Sequence, residues 1–233
     1  MKLTSRLKAL ASLVPLNKAA ADIGTDHGYL AVYLVSHNLC PYVIAGDKNE
    51  KPLGKARDSV RALKLEGKVL IRLGDGLEVI QESDQVKVII IAGMGGKTIC
   101  SILDDGWEKL KGVDVLILQP MVDIWLVRRW LIERGFRIKE EKLAKEGDQI
   151  YEIIKAGPGE QEPLDDLQLE LGPKLLEKRD PLIRPYLLRK LRKCKKVMES
   201  FKKSKQEIDP QKYNYWNRLI CKIEEELRCL QEK

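Results

Sequence analysis

The sequence predicts an α/β protein: a doubly wound, mostly parallel sheet followed by an α-helical hairpin. Three observations predict it. From Lys18 to about Ala156, short runs rich in Val, Ile and Leu alternate with helical patterns, the order of a doubly wound sheet. Those runs lack polar alternation, as strands buried on both faces do. Beyond a Gly- and Pro-rich break no strand pattern returns, and two heptad stripes follow.

The elements follow in order. Leu3, Leu7, Leu10 and Val14 recur at 4-3-4 spacing with Arg6 and Lys8 between them. This is an amphipathic helix capped by Thr4 or Ser5, and it is not the apolar core of an export signal. Strands are expected at Ala19–Ile23, Tyr42–Ala45, Val69–Leu73, Val88–Ala92 and Val113–Leu118, with helices around 28–37, 52–65, 96–110 and 123–134. Phe136–Leu143 and Gln149–Lys155, parted only by Lys145-Glu-Gly-Asp148, predict an antiparallel hairpin at the sheet edge. Ala156-Gly-Pro-Gly-Glu-Gln-Glu-Pro163 reads as a linker, giving domains at 1–157 and 163–233. Leu187, Leu191, Cys194, Met198 and Phe201 form one stripe; Trp216, Ile220, Ile223, Leu227 and Leu230 form the next, after Asp209-Pro210. A short Pro turn between two such stripes predicts an antiparallel, coiled-coil-like hairpin. It favours pairing within the chain and hence a monomer.

Composition excludes several classes. Five cysteines, an odd number with no CxxC among them, argue against a disulfide framework and a zinc finger. His27 and His37 are the only histidines, which excludes a histidine-rich metal site. The most apolar run, Val88–Ala92, is five residues, against the roughly 20 that a membrane helix needs. These features point to the cytoplasm. The 42 Lys and Arg exceed the 35 Asp and Glu, for a net charge of +7, and that balance suits a polyanionic partner. Between Arg184 and Lys205 the bias is stronger, with ten Lys and Arg against Glu199 alone. Arg189, Lys190, Arg192, Lys193, Lys195 and Lys196 form its centre. Solvated helix faces usually mix charge signs, so a phosphate-tracking surface is favoured over a merely solvated one.

The chemistry gathers at the strand ends. The first strand runs into Asp22-Ile-Gly-Thr-Asp-His-Gly28. The third glycine of a dinucleotide loop is absent. An acidic residue before the turn suits the cationic ammonium and sulfonium of S-adenosyl-L-methionine, although a structural glycine turn fits the loop equally well. Asp47 ends the second strand, 25 residues past Asp22, where an acid can accept ribose hydroxyls or cap a helix. Gly74-Asp75-Gly76 ends the third, as an adenine contact or a plain turn. Ala92-Gly-Met-Gly-Gly96 ends the fourth, and its glycines signal something packed against the backbone. Gln119-Pro120 lies at the end of the fifth, at the rim of the same edge. No metal site is expected.

Together, Asp22-Ile-Gly-Thr-Asp-His-Gly-Tyr-Leu30, Gly74-Asp-Gly-Leu77, Ile91-Ala-Gly-Met-Gly-Gly96 and Leu118-Gln-Pro120 resemble the bacterial tRNA (adenine-22-N1)-methyltransferases, the TrmK family. The resemblance covers nearly the whole chain, helical tail included. It implies a Rossmann-like class I methyltransferase domain, S-adenosyl-L-methionine as cofactor and tRNA as substrate. Asp22, Gly24 and Gly28 would surround the methionine part, with Thr25 beside them. His27 either lines this pocket or approaches the target base, or is a loop histidine bonded to backbone. Asp47 would take the ribose with Lys48 adjacent, and Asp75 with Gly76 the adenine. Ala92, Gly93 and Met94 would border the reactive centre. On the residues alone, Met94 either presses on the target base or fills a gap between cofactor and sheet, and Gln119 with Pro120 is a candidate base contact. Asp26 stands where most class I loops carry glycine, and the resemblance implies that it is catalytic. Gly93-Met94-Gly95-Gly96 lacks the Asn/Asp-Pro-Pro-aromatic motif of amino-group methyltransferases, which agrees with a ring nitrogen as target. A nicotinamide-dependent oxidoreductase and a non-catalytic RNA-binding protein are the rival readings.

Overall fold

The computed structural model of the chain describes residues 3–203 and 209–231. The chain divides into two compact units, Met1–Leu164 and Asp165–Lys233. In the first, helix α1 (Ser5–Ala11) precedes β1 (Ala20–Ile23), α2 (Tyr29–Ser36), β2 (Val43–Asp47), α3 (Glu50–Ala62) and β3 (Val69–Leu73). There follow β4 (Val88–Met94), α4 (Gly96–Asp105), β5 (Val115–Pro120), α5 (Ile124–Glu133), β6 (Phe136–Glu146) and β7 (Gln149–Pro158). The seven strands form one sheet in the order β3-β2-β1-β4-β5-β7-β6. The first five are parallel, and β7 runs antiparallel to both β5 and β6.

Burial explains the run-like strands. All four residues of β1 are buried, as are Val88 to Ile91 of β4 and all of β5. Each face of the sheet carries its own apolar layer. One layer includes Ile23, Ile44, Ile89, Ile91, Leu116 and Leu118, and the other Val43, Ala45, Val88, Ile90, Val115 and Ile117. Thr4 caps α1 through its side-chain oxygen, which accepts from Leu7 N at 3.3 Å. The fourth expected helix is shorter than its pattern suggests. It stops at Asp105, and the capping Gly106 lies against Leu77, where a Cβ would come within 2.6 Å of the Leu77 Cβ. A short 3-10 turn, Trp107–Leu110, follows.

Two expectations need correcting. The β6–β7 hairpin is longer and its turn tighter, because Glu146 pairs with Gln149 and Gly147 adopts φ +58°, a left-handed value that suits a two-residue turn. The strand also continues past Ala156, where the linker was expected. Gly157 pairs with Arg137, and a Cβ on it would lie 2.5 Å from Asp114 O. This glycine admits a neighbouring chain segment; it does not break the strand.

The second unit holds α6 (Asp166–Leu171), α7 (Pro173–Lys178), α8 (Ile183–Lys203) and α9 (Pro210–Cys229). The heptad reading did not anticipate the short α6 and α7. Asp165 caps α6 by accepting from Gln168 N at 2.8 Å, while the Gln168 side chain accepts from Asp165 N at 2.9 Å. Leu187, Cys194 and Met198 of α8 and Ile223 of α9 are buried as the stripes require, and Leu219, outside the expected stripe, is buried as well. Lys205 lies outside the described residues. Cys40, Cys100, Cys194, Cys221 and Cys229 are all free thiols.

Candidate active site

Strand register brings the candidate residues to one edge. Ile23 is level with Gly46 and Ile91, Gly46 with Arg72, and Ile91 with Leu118. The next residues along the five parallel strands, Gly24, Asp47, Leu73, Ala92 and Gln119, therefore line the carboxyl edge. The order reverses at β1 and β4, and ligands of open α/β sheets bind at the carboxyl side of such a reversal.

The loop after β1 is fixed to β2, since Gly24 N and Thr25 N both donate to Gly46 O, at 2.8 and 3.0 Å. Asp22 is buried beneath it and accepts from Thr25 Oγ1 at 2.7 Å. Burial pushes the Asp22 carboxyl up to about 6, against the opposing pull of the Thr25 hydroxyl and the Arg6 charge. Gly24 has φ +73°, and a Cβ there would lie 2.1 Å from Met94 Cε. His27 and Gly28 are both left-handed, at φ 58° and 68°. Gly28 also sits so close to α3 that a Cβ would approach the Ala56 Cβ to 3.0 Å. This turn leaves the Asp26 carboxylate at the open rim, 83% exposed and 3.2 Å from His27 Nε2. The His27 ring stacks on Tyr29 at 5.1 Å.

Two further acids follow at the ends of β2 and β3. Asp47 Oδ1 accepts from Asn49 N at 2.7 Å and Asn49 Nδ2 at 3.1 Å, so one carboxylate oxygen is engaged locally. Lys48 is exposed. Asp75 is exposed and precedes a 3-10 turn, Gly76–Val79, with its N donating to Glu78 Oε2 at 3.4 Å. At the β4 end the pairing with β5 shifts between Ala92 and Met94, and the intervening Gly93 has φ +81°. Gly96 of the same run admits protein, since a Cβ on it would lie 2.3 Å from Asp123 O, in the loop after β5.

Arg6 is the site residue that the sequence did not single out. Its Nη1 donates to Gln119 Oε1 at 2.9 Å and would stand 3.6 Å from a Cβ on Gly93. Its guanidinium also lies over the Tyr151 ring, 5.5 Å from the centroid. Nothing in the α1 pattern separates this arginine from a solvated one. Gln119 is fully buried, and its Nε2 donates to Pro120 O at 3.1 Å. In this conformation Gln119 anchors Arg6 and presents no free amide to a base.

In the second unit the basic side chains divide. Lys190 is drawn into the fold, with Nζ 2.6 Å from Glu170 Oε1 and over the Tyr186 ring. Lys195 pairs with Glu224 at 2.8 Å. Arg192, Lys193 and Lys196 are exposed, with Arg189 half-buried, at spacings that share one helix face. Among the described residues no helix is long and apolar enough to cross a membrane, and no group of three or more His, Cys, Asp or Glu is placed to hold a metal ion.

A family model described as TrmK, tRNA (adenine(22)-N(1))-methyltransferase, matches residues 20–225. The chain belongs to this family. The tRNA (adenine(22)-N(1))-methyltransferase of Bacillus subtilis (strain 168) is 36% identical over 173 residues, which are 74% of this chain and 72% of that one. Streptococcus pneumoniae Sp1610 in complex with S-adenosyl-L-methionine superposes with a TM-score of 0.87 at 33% identity, covering 97% of this chain and 100% of that one. M. capricolum TrmK in complex with S-adenosyl-homocysteine gives 0.80 at 28%, covering 98% and 99%. The TrmK likeness thus extends through both units, including the helices that follow the sheet.

Proposed function

We propose that this chain is a cytoplasmic, monomeric enzyme that transfers a methyl group from S-adenosyl-L-methionine to N1 of adenine 22 in tRNA. The observation that carries the reading is the line of acids on the carboxyl edge, Asp22, Asp26, Asp47 and Asp75, in a chain of the TrmK family. The residues present fit the cofactor. Gly24 lets the Met94 side chain lie over the β1 end, and the buried Asp22 beneath this loop is the acid that would pair with an ammonium. Asp47 has a second carboxylate oxygen for ribose hydroxyls, and the exposed Asp75 lies one strand further for an adenine amine. S-adenosyl-L-methionine supplies a methyl group already activated on a sulfonium. The protein's task is therefore chiefly to position the base.

Asp22 gives this reading a pH signature. A cationic ligand beside it favours the ionised carboxylate, whose pKa in the free protein is about 6. Cofactor affinity is expected to fall as the pH drops through about 6, towards tenfold per pH unit well below it, as the carboxyl binds a proton that the ligand must displace. Calorimetric titration across this range, with NAD as the control ligand, tests the assignment. A profile with no break near 6, or equal binding of NAD, would contradict it.

The second unit is proposed to grip tRNA through the exposed α8 cations. Replacing Arg192, Lys193 and Lys196 together by Gln is expected to weaken tRNA binding by about tenfold or more. The slope of log affinity against log salt should fall by roughly 0.7–0.9 for each phosphate that the variant no longer neutralises. Cofactor affinity should stay unchanged. An unaltered salt slope would remove this face from the RNA interface.

A further inference from the structure

The loop between β5 and α5 presents two large apolar side chains to solvent at the edge where the candidate site lies. Met121 is 49% exposed and Val122 is 58% exposed. Loops are ordinarily more mobile than the elements they connect, but this one is pinned. Met121 N donates to Met94 O at 2.8 Å, and Gly96 N donates to Val122 O at 2.9 Å. Asp123 follows in the left-handed region at φ 54°, and the bare Gly96 lets its carbonyl approach. Gln119 Nε2 also reaches Met121 Sδ at 3.4 Å. The glycines at the end of β4 thus hold an apolar tip rigidly beside Met94.

We infer that Met121 and Val122 are a wedge that enters the base stack of the tRNA and fills the space vacated by the target adenine. The inference rests on the methyltransferase reading given above. A base held in folded RNA must leave its stack to reach a pocket, and this costs unstacking energy. Proteins that open stacked nucleic acid commonly insert Met, Leu, Ile or Phe between bases. The tip has the required chemistry, since it is apolar, uncharged, exposed and backed by fixed hydrogen bonds. Its place follows from continuity with the strand-end site, because Met121 is bonded to the same Met94 that lies over Gly24. Met121 and Val122 are positioning residues in this account, and neither touches the reacting atoms.

The test uses the full chain and a folded tRNA carrying 2-aminopurine at position 22, whose fluorescence rises when the base leaves its stack. Wild-type protein should brighten the probe, and Met121→Ser/Val122→Ser should largely lose the rise. Both proteins should bind cofactor equally and tRNA within a few-fold. On ordinary tRNA the double variant should lose roughly tenfold or more in kcat, with KM little changed. Met121→Leu/Val122→Ile keeps the apolar bulk and should restore both signals. A double Ser variant that brightens the probe and methylates like wild type overturns the wedge. So does a variant whose main defect is lost tRNA affinity. Wild-type protein that neither brightens the probe nor methylates tRNA instead refutes the underlying function.

Discussion

Asp26→Asn is expected to lower turnover by about 10²–10⁴ while cofactor affinity stays within a few-fold. Adenine N1 attacks with its own lone pair, so no proton need leave beforehand. Positive charge then grows on the base, spread towards the N6 amine. A carboxylate that accepts a hydrogen bond from that amine stabilises the growing charge and can later receive a proton. Asp26 is suited to this by position: it lies on the loop after β1, it is the exposed acid there, and His27 Nε2 stands 3.2 Å away to orient it. The buried Asp22 is tied to Thr25, and on the proposed reading it serves the cofactor. Asn preserves the size of the side chain and removes its charge. Single-turnover kinetics combined with calorimetry separates the roles. Lost cofactor binding would make Asp26 a ligand of the ammonium, and near-normal turnover would remove it from the chemistry.

Arg128→Met is expected to destabilise the first unit by about 3–5 kcal/mol, because it takes the cation away from buried carboxylates. Arg128 on α5 is fully buried. Its Nε donates to Glu141 Oε1 at 2.6 Å, and its Nη2 to Glu152 Oε2 at 2.7 Å. Both glutamates are themselves buried, at 3% and 4% exposure. One helix is thereby locked to the two strands of the edge hairpin. Substituting all three by apolar residues of similar size should recover much of the loss, since the isolated charges and not the missing attraction dominate the cost. Urea denaturation measures both variants. An Arg128→Met protein of wild-type stability would show that the triad is not a structural tie.

These cases mark what the sequence makes legible. Continuous runs of Val, Ile and Leu announce strands buried on both faces, and β4 and β5 are such strands. The strand-end acids are legible because a parallel sheet forces its loops to one edge. Arg128 is hidden by its neighbours. It shares the inner face of α5 with Val127 and Leu131, and a charged residue there reads as solvated until its partners are known. Glu141 is hidden by a register shift. Phe136 and Ile138 face inward, the pairing slips between Ile138 and Glu140, and Glu141 and Leu143 take the inward positions afterwards. No alternation pattern predicts such a slip. Arg6 is missed for a related reason, since its value lies in reaching Gln119 across 113 residues of sequence. The glycine run after β4 is read correctly as a close approach, but what approaches Gly96 is the protein's own β5–α5 loop.

The central claim is that this edge delivers a methyl group to N1 of one adenine. Incubation of the full chain with an unmodified tRNA transcript and methyl-labelled S-adenosyl-L-methionine, followed by mapping of the labelled nucleotide, tests it most directly. The account predicts one label per tRNA, on N1 of adenine 22, and none when that adenine is replaced by guanine. Label on the N6 amine, label on another nucleotide, or cofactor binding with no transfer at all would contradict it.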